Sequence, residues 1–411
     1  MRYDAIVVGA RVAGATTAML LAQAGLRVLA LDQARFPSDT LSTHQLQVPG
    51  VARLAKWGLL DGVLASGLPG THRLRFDNEG VVLDGTFPAV DGVDVMLSPR
   101  RTVLDALLVD AARSAGAEVR EATVVDGICR EGVRVVGVTC RAKGKDASTT
   151  ESADLVGGAD GSHSRIAKLV GAAEYRARPS RTVAFYGYWQ GLPVAGGEIY
   201  ALGDRIASAW PTHDGLVITY VAWRSTEFDT YRRDPDAALR GTLDAAGSIG
   251  ERARAAERIG PGRGTNALPN VFRQAAGPGW LLVGDAGLAM DPITGLGMSH
   301  ALRDAELASA AIVAGLGRPA RRDAALARYG RRRDRQTKPI YDFTVGLAAL
   351  NPATDGEKRL FRAIAADPEQ TARLFGTING SMSMRQFFAP SNLVRLVGWR
   401  GFVQLARERG R

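Results

Sequence analysis

Gly284-Asp285-Ala286, Met290-Asp291-Pro292 and Gly295-Leu296-Gly297-Met298 bring a carboxylate, two glycine turns and a helix start into one short segment. Trp280 to Val283 is a brief apolar run that reads as a buried strand, so Asp285, just past its end, offers a carboxylate to the hydroxyl groups of a ligand. Pro292, Gly295 and Gly297 form a loop that no helix can continue through, and Met298 to Ala311 has helical composition. The segment therefore leaves free backbone N–H groups at a helix N-terminus, where an anion or developing negative charge is stabilised.

A second such arrangement opens the chain. Arg2 to Val8 alternates into a hydrophobic strand, Gly9-Ala10-Arg11-Val12-Ala13-Gly14 follows at once, and Ala15 to Ala24 is an uninterrupted helix former broken by Gly25. Strand, glycine turn and helix in this order are what a dinucleotide fold requires, and Asp32 at the end of the next strand, Leu26 to Leu31, stands where a ribose hydroxyl is held. Arg11 occupies the position usually given to a second glycine, and its guanidinium there could pair with a phosphate. Between the two, Asp154 to Arg165 predicts a strand entering an Asp160-Gly161 turn, with Ser162 or Ser164 as a helix cap.

Together and in this order, the three motifs resemble the FAD-dependent monooxygenases of the para-hydroxybenzoate hydroxylase type, the group A flavoprotein monooxygenases. Geranylgeranyl-reductase-like proteins and flavin-dependent halogenases are more widely similar. A softer match is Arg101 to Leu108, where the family sets an arginine against the FAD phosphates, and the resemblance ends near Tyr329. It implies an α/β fold: a Rossmann-like FAD-binding domain of three layers (ββα) from 1–70, 98–174 and 272–320. Into it are inserted a mostly antiparallel β-sheet substrate domain from 71–97 and 175–271, and a helical C-terminal region follows from 321 to 411. Assigned to FAD are Gly9, Arg11, Val12, Ala13, Gly14, Asp32, Gln33, Arg101, Val125, Asp160, Asp285, Pro292, Gly295, Leu296, Gly297 and Met298. The activity implied is NADH- or NADPH-driven hydroxylation or epoxidation of a small aromatic or polycyclic substrate through a flavin C4a-hydroperoxide, with the flavin carrying the hard chemistry. No Ser/His/Asp constellation is needed and no catalytic residue is assigned; His44 and His300 are the histidines nearest the flavin loops.

Thr182 to Trp189, Glu198 to Trp210 and Gly215 to Trp223 are strand-like and rich in aromatics, which predicts a sheet roofing the substrate. Tyr188 and Trp189 must point to opposite faces, so at most half of these aromatics can line a pocket. Halogenases place Trp-x-Trp-x-Ile-Pro, and geranylgeranyl reductases Tyr-x-Trp-x-Phe-Pro, where this chain reads Ile206-Ala207-Ser208-Ala209-Trp210-Pro211. Halogenases also rely on a lysine near the flavin channel, and none lies between Lys56 and Lys143. A flavin-bearing protein without turnover would satisfy the FAD motifs equally.

No apolar run is long enough to span a bilayer, which predicts a cytoplasmic protein, monomeric or homodimeric, without an integral membrane segment. Cys129 and Cys140 have no metal or disulfide spacing, so no metal is expected. The net charge of +10 is local: residues 318–338 hold eight Arg and one Lys against Asp323 and Asp334, a net of +7. With only Tyr329 interleaved, the run does not read as a nucleic-acid groove. It predicts a solvated helical face or, through Arg331, Arg332 and Arg333, a docking patch for an acidic carrier of a tethered substrate. Beyond Lys338, helices are expected over 342–349, 357–366, 368–375 and 392–409, with Phe387 to Pro390 as a buried joint.

Overall fold

A computed structural model describes residues 2–266 and 269–409. Its central sheet runs Ala276–Gly277, Trp280–Leu282, Val156–Gly158, Ala5–Val8, Val28–Leu31 and Glu118–Arg120, with all pairs parallel except the first. Strand alternation sorts its side chains. Ala5, Val7, Val28 and Ala30 pack against the helices Val12–Gln23, Arg101–Ser114 and Gly297–Ala314. Ile6, Val8, Leu29 and Leu31 pack against Val125, Val135, Val138 and Cys140 of a second sheet. That sheet is Arg2–Tyr3, Ser148–Ala153, Arg134–Ala142 and Thr123–Glu131, so the three layers are sheet, sheet and helix.

Several expected boundaries shift. Arg2 to Val8 is two strands in two sheets, because Asp4 breaks the run: its carboxylate accepts from Arg27 N–H at 2.7 Å. The second strand starts at Val28, since Gly25 at φ +84° carries the chain through a turn that still occupies Leu26. Ser148–Ala153, though polar, is a strand that pairs with both Arg134–Ala142 and Arg2–Tyr3. Glu198 to Trp210 is a hairpin, Gly197–Ala201 with Arg205–Pro211.

The aromatic segments form a seven-stranded sheet: Glu257–Thr265, Thr182–Gln190, Leu216–Arg224, Arg205–Pro211, Gly197–Ala201, Arg73–Asn78 and Val81–Thr86. It is antiparallel except where Gly197–Ala201 meets Arg73–Asn78. Trp189 and Trp223 face outward onto the helices Pro235–Ala245 and Ser248–Arg254, with Trp189 Nε1–H donating to Thr219 Oγ1 and Trp223 Nε1–H to Thr242 Oγ1, both at 2.8 Å. Tyr186, Trp210 and Tyr220 face the opposite way. On that side the C-terminal helices Asp355–Ala365, Pro368–Ile378 and Pro390–Arg409 close over the sheet, and Phe387 is buried at the joint. A capping box between Thr354 and Glu357 starts the first of them.

The basic segment and the expected helix 342–349 are one helix, Pro319–Leu347, which passes straight through Pro339. It is anchored on both sides of the proline: Tyr329 Oη donates to Leu282 O at 2.8 Å and Tyr341 Oη to Arg176 O at 2.7 Å. Tertiary contacts thus override a local helix breaker. The docking patch is corrected in the same way, because Arg333 is fully buried. It donates to Arg273 O at 2.8 Å, Gly287 O at 3.1 Å and Asp334 Oδ1 at 2.8 Å. Arg322 is buried too, donating to Asp154 O, while Arg328, Arg331, Arg332 and Arg335 remain exposed.

Arg333→Met removes the guanidinium from the buried Arg273 and Gly287 carbonyls and from Asp334, leaving Gly287 O only the Arg273 N–H and Asp334 only the Tyr175 hydroxyl, and it is expected to destabilise the fold by about 3 kcal/mol. Arg331→Glu should change stability by less than about 0.5 kcal/mol. Urea unfolding midpoints of the two variants check the contrast, and equal midpoints would contradict it.

Candidate functional site

The three motifs meet around a cavity of about 770 Å3 at the carboxyl ends of the parallel strands. Gly9 turns at φ +95° and its N–H donates to Leu31 O at 2.8 Å. A Cβ on Gly14 would lie 1.7 Å from Gly9 O, so only glycine lets the helix start this close to the strand. Asp32 is fixed on both sides, accepting from Ala10 N–H and Ala34 N–H at 2.7 Å each, which holds its carboxylate at the cavity rim.

Two helices point their first N–H groups into this cavity without a side-chain cap. They are Val12–Gln23, with Val12 and Ala13 on the wall, and Gly297–Ala314, with Gly297 and Met298 on the wall. Uncapped helix starts are anion sites. Beside the first lies a charge cluster: Asp105, with no exposure, receives Arg11 Nη1 at 2.6 Å and Arg101 bidentately at 3.0 Å. Two guanidiniums share one carboxylate, so one positive charge is left over at the wall. Arg11 also donates to Ser38 Oγ at 2.8 Å. It is therefore held by protein groups as well as turned to the cavity.

Asp285 sits in a turn of Gly284–Ala286, with its neighbours Gly284 and Ala286 buried and its own side chain open to the cavity. Desolvation pushes its carboxyl up to about 6. Asp160 is engaged locally. Its oxygens accept from Ser164 Oγ at 2.5 Å, Arg165 N–H at 2.7 Å and Ile166 N–H at 3.0 Å, and Ser164 in turn caps the helix Arg165–Val170. Gln33, Val125 and Pro292 also line the cavity. Gly14, Gly295 and Leu296 do not: Gly14 is a packing residue, Gly295 lines the neighbouring cavity, and Leu296 is buried.

Tyr186 and Tyr220, from the strands expected to roof the substrate, do line the cavity, as does Met290; sequence reasoning missed the crossing segment Thr40 to Thr43 and the residues Leu288 and Ala289. No local signal marks them, since they reach the cavity through long-range packing. The two histidines are assigned differently. His44 lines neither cavity; its Nδ1 lies 2.9 Å from Ser42 O, a pure acceptor, so Nδ1 bears the proton and Nε2 accepts from Tyr188 Oη at 2.7 Å. Burial lowers its pKa to about 4, which keeps it neutral. His300 lines the cavity, and burial holds its pKa well below the ordinary value.

A second cavity, of about 730 Å3, lies between the seven-stranded sheet and the C-terminal helices. Thr43, Tyr220 and Pro292 line both cavities and form their boundary. The second wall is mostly apolar, including Phe76, Phe87, Met96, Ile206, Trp210, Phe361 and Phe375. Burial first, then Asp291, hold the Tyr220 phenol well above its ordinary pKa, so it stays protonated. No lysine lines either cavity among the described residues.

A parallel sheet with a glycine turn, paired uncapped helix starts and strand-end carboxylates defines a flavin-type dinucleotide cradle. The chain belongs to the family described as FAD binding domain, whose model matches residues 2–344. It is 27% identical to a menaquinone reductase of Mycolicibacterium smegmatis, over 76% of this chain and 77% of that protein. It is also 27% identical to a 6-methylpretetramide 4-monooxygenase of Streptomyces rimosus, over 77% and 76%. The fold matches a solved structure of the flavin-dependent brominase Bmp2 with a TM-score of 0.82, at 18% identity and full coverage of both chains. The protein is thus an FAD-dependent oxidoreductase, similar to reductases, monooxygenases and halogenases alike.

A hydroxyl donates better to a carboxylate than to a carboxylic acid. The Asp285 carboxyl keeps its proton up to about pH 6 instead of losing it near 3.8. FAD uptake by the cofactor-free protein is therefore expected to weaken as pH falls through 6, and Asp285→Asn should flatten that dependence. Fluorescence titration of FAD across pH 5 to 8 (roughly the window around that value) measures it; a wild-type affinity independent of pH would refute the assignment.

Proposed function

We propose that this protein is an FAD-dependent monooxygenase that uses NADH or NADPH to hydroxylate or epoxidise an apolar aromatic or polycyclic small molecule. One observation carries the reading: an apolar cavity of about 730 Å3, within the range of small-molecule sites, abuts the cradle at Thr43, Tyr220 and Pro292. When bound, the flavin supplies oxygen activation after reduction by the nicotinamide.

The chain's own residues divide the remaining work. Gly9, Val12, Ala13, Arg11 and Arg101 would hold the pyrophosphate, Asp32 the ribose and Asp285 the ribityl hydroxyls. The uncapped N–H groups of Gly297 and Met298 would stabilise negative charge on the reduced ring. Ile206, Ser208, Trp210 and the C-terminal helices would exclude water and orient the substrate. Protonated Tyr220 supplies a hydrogen-bond donor at the boundary.

The absence of lysine from both walls among the described residues, with Ile206 and Ser208 in place of the paired tryptophans, argues against halogenation. A reductase acting on an isoprenoid chain is the second reading, favoured by the apolar second cavity and by the similarity to a menaquinone reductase.

Incubating the holoprotein with NADH or NADPH, labelled dioxygen and a panel of polycyclic phenols separates the two. The expected product carries one labelled oxygen atom. A product that gains two hydrogens and no label would transfer the assignment to the reductase, and inertness toward both nicotinamides would remove it.

A further inference from the structure

The cavity under the C-terminal helices is apolar over most of its wall, yet three lining residues carry buried polar atoms with no hydrogen-bond partner: Tyr220 Oη, Gln45 Oε1 and Asn379 Nδ2. Such atoms are rare, because a group taken out of water is ordinarily given a new partner. Each side chain is otherwise held in place. Gln45 Nε2 donates to Ser98 Oγ at 3.1 Å, and Asn379 Oδ1 accepts from Ser381 N–H at 2.9 Å.

The three lie at one end of the cavity. Tyr220 shares the boundary to the cradle with Pro292. A Cβ on Gly295 would come within 2.8 Å of Gln45 Cβ, and one on Gly380, next to Asn379, would lie 3.9 Å from Leu296 Cδ2. The loop from Pro292 to Leu296, which leads into the helix Gly297–Ala314, is thus their common neighbour. Elsewhere the wall is mostly apolar, as where Phe76 and Phe361 meet edge to face at 5.7 Å between centroids, with Asn78, Ser208, Asp342, Glu357, Arg385 and Glu408 as further polar lining residues.

We propose that the cavity takes a fused-ring substrate carrying both a hydroxyl and a carbonyl on the ring nearest the flavin, bound polar end first. The Asn379 amide donates to the carbonyl, Gln45 Oε1 accepts from the hydroxyl, and Tyr220 hydrogen-bonds whichever oxygen faces the cradle. The hydrocarbon remainder lies against the phenylalanines. The three residues are positioning residues: they choose which ring is presented and leave the chemistry to the cofactor. The assignment rests on the cavity being the substrate site of the proposed enzyme.

Equilibrium binding to the oxidised holoprotein, without nicotinamide, tests it independently of turnover. The probes are 4-hydroxy-1-tetralone, which has both oxygens on one ring of a two-ring frame, and tetralin, the same frame without them, each followed by perturbation of flavin absorbance. The wild type is expected to prefer the hydroxytetralone, and Tyr220→Phe to weaken it by about tenfold while leaving tetralin unchanged. Asn379→Asp, which keeps the acceptor used by Ser381 and removes the donor, should do likewise; it decides the matter if Tyr220→Phe loses FAD. The proposal is overturned if the wild type binds tetralin as tightly, binds neither probe, or keeps its preference in the variants. Absence of labelled oxygen in product would sink the monooxygenase reading and leave this preference standing.

Discussion

One buried carboxylate governs the cofactor end of the molecule. Asp105 has no access to solvent, and an isolated charge there would be prohibitively costly. Arg11, at the start of the first helix, and Arg101, at the start of another, both reach it. The pair of ion pairs ties two helix N-termini together across the turn that follows the first strand. It also leaves a net positive charge facing the cavity. Where a dinucleotide turn usually has a glycine, Arg11 thus sets at the cavity wall a charged side chain that is already anchored by Asp105 and Ser38.

The opposite end depends on a different kind of burial. Arg333 sits inside the molecule and stitches the long helix Pro319–Leu347 to the carbonyls of Arg273 and Gly287, on the segments flanking the Asp285 turn. Arg303 makes a parallel connection from the cradle helix, pairing with Asp304 and donating to Thr337 Oγ1 at 2.8 Å. The long helix is therefore not an appendage: it is braced against the elements that form the cradle, and the second cavity is the space left between the sheet, the end of this helix and the helices that follow it.

What could be read from the sequence was local chemistry. The glycine turns, Asp32, Asp285 and the Ser164 cap announce themselves because a conformation or a ligand demands that residue type within a few positions. The facing of Tyr188 and Trp189 followed from strand alternation alone. What could not be read depends on partners distant in sequence. Arg333 looks like its exposed neighbours Arg331 and Arg332 until its three carbonyl and carboxylate acceptors are in place. Pro339 looks like a boundary until Tyr341 and Tyr329 pin the helix on either side. Tyr220 looks like a core tyrosine until strand pairing puts it where two cavities meet.

About half of the residues around the second cavity come from beyond residue 344, where the family match ends, whereas the cradle is built wholly from residues within it. The cradle and the C-terminal half of the second cavity's wall thus come from separate stretches of chain, and the two cavities touch at Thr43, Tyr220 and Pro292. Substitutions in the last part of the sequence can alter the shape and polarity of the second cavity while every residue lining the cradle stays the same. Relatives that share the cradle and differ in chemistry are what such a division of the gene would produce.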